Sequence, residues 1–254
     1  EFLPWSETTH STRHYGNLEL ILRKHLIPHF AGKHVHSITR KHIEGYITKR
    51  SRSTFTRGRK KRPIKNTSVN RDIACIKLLF KKAVEWDNLS ISPAVGIKAF
   101  KEIPNPPRLL EQGEIARLRE EVPDRLKALI ACAVYAGLRK QELFHLRWED
   151  VNIKTGELSV VSREAHHTKN YETRRIPMNN VLLEALKRHP RRLGIPYVFT
   201  NEEGKPYDNV RTALRGAAQR AGIEGGVNLH QLRHAFCSYA LMQGIDARTV
   251  QKWM

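Results

Sequence analysis

The sequence predicts a mainly α-helical chain with a small β-sheet, split into a helical N-terminal domain over residues 1–103 and a mixed α/β domain over 108–254. Three observations carry this. Apolar residues recur at helical spacing through most of the chain. The period shortens to strand-like alternation between residues 157 and 177. The stretch KEIPNPPRLL, residues 101–110, holds three prolines in ten positions, the composition of a linker.

In the N-terminal domain, YGNLELILRKHLIPHF (15–30) spaces Leu18, Ile21, Leu22 and Leu26 along one helix face, with Pro28 marking its end region. A second helix starts near Thr39, a candidate cap, with Ile43 and Ile47 on one side. SRSTFTRGRKKRPIKN (51–66) has few apolar side chains and reads as a loop that orders against phosphate. From Thr67 to Trp86 the positions Val69, Ile73, Ile76, Phe80 and Val84 predict a third helix, with Arg71, Lys77, Lys81 and Lys82 available on its other side.

Beyond the linker, helices are expected over 111–122 and 126–135, the second strongly apolar and stopped at Gly137, with a further turn over 141–146. Glu157–Val161 and Thr173–Pro177 read as two strands joined by the polar turn HHTKNYE. Helices follow at 181–186 and 210–221, with Tyr197-Val198-Phe199 a short buried strand candidate between them. HQLRHAFCSY, residues 230–239, begins another helix and sets one arginine and two histidines against an apolar face.

The formal net charge is +20, far beyond what solubility needs, and so large a positive field implies a polyanionic partner. The excess is uneven. Residues 1–108 hold 22 Lys and Arg against 8 Asp and Glu, whereas residues 109–254 hold 23 against 17. Cys75, Cys132 and Cys237 form no CxxC pair and read as reduced thiols of a cytoplasmic protein. No apolar run is long enough to span a membrane, and no secretory signal is evident.

Several positions suit phosphate chemistry. Arg139, just after the glycine that stops the apolar helix, is either a surface guanidinium or an anion ligand, and Glu142 three residues on can hold it from the same helical face. Lys169 in the hairpin turn is either a phosphate contact or a general acid for a departing alkoxide. His230 and Arg233 lie one helical turn apart, so an imidazole and a guanidinium can act at one phosphorus, while adjacent His234 is expected to point into the structure. The i, i+4 pair His230 and His234 lacks the HExxH glutamate, and His166 and His167 lack a carboxylate partner, so no metal is expected. With no GxxxxGK[ST] loop, no nucleotide cofactor is expected either.

AGLRKQELFHLRWEDV (136–151), HTKNYETRRIP (167–177) and HQLRHAFCSYALMQGIDARTVQKWM (230–254) together resemble the tyrosine recombinases, or phage integrases, in family order and at compatible spacing. The resemblance implies a helical, SAM-like core-binding domain followed by a catalytic domain, forming a C-shaped clamp. It implies site-specific breakage and rejoining of double-stranded DNA through a 3′-phosphotyrosyl link, with Arg139, Lys169, His230 and Arg233 catalytic and Glu142 supporting. It further implies a tetramer on paired sites, possible accessory DNA-bending proteins, and a phage-borne or bacterial, nucleoid-associated setting. In the family a Gly-His pair and the nucleophilic tyrosine follow the region matching TVQKWM. No tyrosine of residues 1–254 matches that position, Tyr239 included, so this stretch is expected to bind DNA without cutting it. Expected DNA contacts are Arg57, Arg59, Lys60, Lys61, Arg62, Arg71, Lys77 and Lys81. The alternatives are a non-catalytic DNA-binding regulator and a type IB topoisomerase-like enzyme, which shares the chemistry without synapsis.

Overall fold

A computed structural model describes residues 1–58, 60–103, 108–163 and 173–254, apart from the side chain of Arg57. Arg59 and the turn bearing His166, His167 and Lys169 lie outside the described residues. The chain forms two compact units, Glu1–Asn105 and Pro106–Met254.

In the first unit α1 (Phe2–Thr9) is followed by α2 (Thr12–Ile21), which runs through one π-turn, Leu22–Leu26, into α3 (Ile27–Phe30). Pro28 has no N–H and its ring crowds the carbonyl one turn back. The wider turn before it, closed by the Ile27 N–H on the Leu22 carbonyl, lets the helix continue two residues past the proline. Then come α4 (Arg40–Ser51), a hairpin of β1 (Thr54–Arg57) and β2 (Lys60–Pro63), and α5 (Asn66–Glu85). Thr39 caps α4, and its N–H donates to His42 Nδ1 at 3.1 Å. Leu18, Leu22 and Leu26 meet Ile43 and Ile47 of α4 and Val69, Ile73, Ile76 and Phe80 of α5 in one core. Fully burying each such side chain contributes about 1.5–3 kcal/mol. The buried carboxylate of Asp72 is satisfied by the Tyr46 hydroxyl at 2.8 Å and Arg50 Nε at 2.7 Å.

Residues 51–66 are therefore not a loop throughout. Four cross-strand pairs, from Thr54↔Pro63 to Arg57↔Lys60, leave a two-residue connection in which Gly58 takes φ 65°. Tight hairpin turns need that left-handed backbone, and the Thr-Phe-Thr run supplies strand propensity without a core to pack on.

The second unit is built around α7 (Asp124–Tyr135), which packs against α9 (Asn180–Arg188) and α11 (Leu229–Met242). It also contains α6 (Gln112–Glu121), α8 (Lys140–Phe144), α10 (Arg211–Arg220) and α12 (Ala247–Trp253). The sheet has the order β3 (Val151–Asn152), β4 (Glu157–Val160), β5 (Arg174–Pro177), all antiparallel. Leu158 and Ile176 face each other across it and are buried. Residues 197–199 do not join this sheet. Val198 and Phe199 are buried, but Tyr197 makes only an isolated bridge with Arg147, because that partner stretch turns into a 3₁₀ helix at Trp148.

Candidate active site

The site begins where α7 stops. Gly137 has φ 61°, and a Cβ there would sit 2.3 Å from Phe236 Cδ1, so neither the backbone nor the packing admits a side chain. This sharp exit places Arg139 immediately before α8, with the extended backbone of a helix cap. Its N–H donates to Glu142 Oε2 at 2.7 Å, and its Nη1 to Oε1 at 3.0 Å. Arg139 and Glu142 thus meet through capping geometry, not as neighbours on one helical face. Nor is Glu142 a surface partner: its side chain is 3% exposed.

Arg174 was not singled out from the sequence, yet it holds this carboxylate most fully. Its Nη1 and Nη2 donate to Oε1 and Oε2 at 3.0 and 2.6 Å, and its Nε donates to the Trp253 carbonyl at 2.8 Å. A readable signal existed, since residues two apart in a strand share a face and Arg174 precedes the buried Ile176 by two. Arg233, buried on α11, donates through Nη1 to the Gly137 carbonyl and through Nη2 to that of Met254, and its Nη1 lies 3.8 Å from Glu142 Oε2. Arg139 and Arg233, far apart in sequence, thus meet with Arg174 around one carboxylate.

Burial alone would raise the pKa of Glu142. The hydrogen bonds and charge of Arg174, followed by the N–H and guanidinium of Arg139, outweigh it and hold the carboxyl below the usual range. Burial, and then the charge of Arg139, push Arg233 down to about 10, so it still carries its proton at neutral pH. One negative charge against three positive ones leaves a centre suited to an anion.

His230 sits in the first turn of α11, where the Asn228 side chain accepts its backbone N–H at 3.0 Å. Its imidazole is exposed and meets His234, Nε2 to Nε2, at 3.0 Å. His234 does not turn inward as expected, because the i, i+4 spacing sets the two rings edge to face on one side of the helix. Desolvation, then the charges of His234, Arg233 and Arg139, lower the pKa of His230, favouring the neutral form that accepts a proton. Lys169 falls outside the described residues; Val160 and Arg174, the paired residues nearest its turn, are described.

Tyr239 is committed elsewhere, its hydroxyl donating to the Leu110 carbonyl at 2.7 Å. Cys75 and Cys132 are buried thiols, that of Cys75 pushed up to about 12 by burial first, while Cys237 is only half-buried. Among the described residues no group of three or more His, Cys, Asp or Glu could hold a metal ion, and no helix is long and apolar enough to cross a membrane.

In the first unit Lys60, Lys61 and Arg62 are exposed along β2, and Arg71, Lys77 and Lys81 are exposed along one side of α5. Lys82 is not free, since it packs 4.3 Å over the Trp5 ring and bonds Glu85. Arg57 is placed only through its backbone pairing with Lys60.

Known proteins similar to this chain include the tyrosine recombinase XerC of Xylella fastidiosa (strain M23), 27% identical over 208 residues that span 78% of this chain and 69% of that protein. The tyrosine recombinase XerA of Pyrococcus furiosus is 35% identical over 156 residues, 58% of this chain and 52% of that protein. Among solved structures, a lambda integrase dimer (residues 75–356) bound to a COC′ core site matches 98% of this chain and 90% of its own, with a TM-score of 0.76 at 16% identity. The Tn1549 transposon integrase in complex with transposon right-end DNA matches 97% and 86%, with a TM-score of 0.74 at 16% identity. These two likenesses speak to the fold. The family model described as "Phage integrase family" matches residues 108–254, more than half of the sequence, and the chain therefore belongs to the phage integrases, the tyrosine recombinases.

Proposed function

We propose that this chain recombines double-stranded DNA at specific sites, with Glu1–Asn105 as its core-binding domain and Pro106–Met254 as its catalytic domain. The observation that carries this is the convergence of Arg139, Arg174 and Arg233 on the buried Glu142, leaving net positive charge where a phosphodiester would sit. Arg139 and Arg233 grip the two non-bridging oxygens and stabilise the charge that grows on them as phosphorus becomes five-coordinate. A tyrosine hydroxyl attacks that phosphorus, and its proton passes to neutral His230. The P–O5′ bond breaks, Lys169 protonates the departing 5′ oxygen, and a 3′-phosphotyrosyl ester remains. Attack by a 5′-hydroxyl of another strand reverses these steps and rejoins the DNA. The ester conserves the bond energy, so the exchange needs no nucleotide. Glu142 and Arg174 position Arg139 and do not touch the substrate. A tetramer on paired sites follows from the need to exchange four strands.

Tyr239 supplies no nucleophile, since its hydroxyl serves Leu110. In this reading residues 1–254 bind duplex DNA without forming the covalent link, because none of their tyrosines matches the family's nucleophile position. The test mixes the full-length protein with its cognate duplex and resolves the products under denaturing conditions. A covalent protein–DNA species and recombinant strands are expected, and their absence refutes the reaction. A covalent adduct formed by residues 1–254 alone would overturn the assignment of the nucleophile.

A further inference from the structure

The described residues of the hairpin β1–β2 bury neither face. Thr54, Phe55, Thr56 and all of Lys60–Pro63 are exposed, with Phe55 at 43%. An isolated two-stranded ribbon is marginal in water, because it buries no apolar face to offset the ordering of its backbone. Beyond its ladder the Ile64 N–H donates to Ser53 O at 3.1 Å. It also lies in a stretch of singular charge: residues 45–71 hold ten Lys and Arg and no Asp or Glu. An unpaired ribbon with that charge is built to gain its packing from a polyanion.

Its pattern argues for more than phosphate contact. Alternate residues of a strand point to opposite faces, so Phe55 shares a face with its cross-strand partner Arg62, while Thr56 and its partner Lys61 lie on the other. An exposed phenyl ring gains nothing from a phosphate, but packs on a thymine methyl, and arginine beside it matches the two acceptors of a guanine edge. Two strands about 4.8 Å apart, with the side chains that flank them, are too broad for a minor groove of about 6 Å, whereas a major groove about 12 Å wide admits a two-stranded ribbon.

We propose that this hairpin is a DNA-reading arm that enters the major groove, with Phe55 and Arg62 against the base edges and Lys60 and Lys61 toward the flanking phosphates. It rests on the duplex-binding reading and adds sequence specificity from the first unit.

The experiment selects from a pool of random-sequence 30-base-pair duplexes with residues 1–254 and with two variants. One is Phe55→Ala. The other replaces residues 54–63 by Asn-Gly, joining Ser53 to Ile64 where they already pair. Selected duplexes are then probed by guanine N7 methylation, which reports the major groove. The wild type should protect a run of guanines and enrich a motif. Phe55→Ala should lose a thymine preference within it, and the arm replacement should lose the protection and about tenfold in affinity, the scale of one lost base contact. A wild-type chain that binds no duplex refutes the duplex reading itself. Uniformly weaker binding with motif and protection intact makes the hairpin a phosphate clamp and overturns the arm, as does binding unchanged in both variants.

Discussion

A single carboxylate cannot neutralise three guanidiniums, and at Glu142 the imbalance is arranged unequally. Arg174 takes both oxygens in a fork, Arg139 takes one oxygen with its side chain and the other with its backbone, and Arg233 stands 3.8 Å off. Arg174 is therefore spent on holding Glu142, while Arg139, whose side chain is 38% exposed, keeps donors for a ligand. Arg174→Ala should cost about 1.5–3 kcal/mol in urea unfolding, the usual worth of hydrogen bonds to a charged group. It should also slow strand cleavage while leaving the Kd for duplex DNA within about threefold. Arg174→Lys should recover little of the rate, because an ammonium cannot make the planar fork. A Kd that moves as far as the rate would make Arg174 a DNA ligand instead. At His230 every charged neighbour that acts is positive, and burial works in the same direction. NMR titration of residues 1–254 should find its midpoint below the ordinary 6.5, and His234→Ala should shift that midpoint upward by removing one positive neighbour. A midpoint at or above 6.5 in the wild type would refute this electrostatic picture.

At the scale of elements, legibility followed periodicity. α5 and α7 declare themselves through apolar residues at helical spacing, and β4 and β5 through alternation. The hairpin was illegible to the same reasoning because it buries nothing: its evidence is the Thr-Phe-Thr run and the φ of Gly58, not a hydrophobic face. The 197–199 strand failed for the opposite reason. Its burial is real, but burial does not specify a ladder, and its partner stretch twists away at Trp148. In the site, Arg139, Glu142, His230 and Arg233 were legible as residues, yet their geometry was not. Whether Glu142 pairs along a helix or across a cap depends on where α8 begins, and the left-handed Gly137 decides that. Arg174 was hidden because an arginine in a strand next to a polar turn looks exposed until its parity with Ile176 is counted.

Across the whole molecule, charge and chemistry are separated along the sequence. The excess of basic residues is concentrated before residue 109, whereas the guanidiniums around Glu142 all come after it. Phosphate contacts release counterions, so log K for duplex binding should fall with log salt by about 0.9 per phosphate neutralised. Replacing Lys60 and Lys61 together by alanine should flatten that slope by up to about two, at roughly one per lost phosphate contact. Once DNA is saturating, cleavage should proceed at a near-normal rate. Arg139→Ala should change the slope by no more than about one, yet slow cleavage on the order of 100- to 1,000-fold, the effect of removing one donor aimed at transition-state charge. Titrations at several salt concentrations, paired with single-turnover cleavage of saturated complexes of the full-length protein, measure both quantities on the same variants. Equal losses of slope and rate in the two sets would mean that binding and bond exchange share one surface, and the separation argued from the charge distribution would fail.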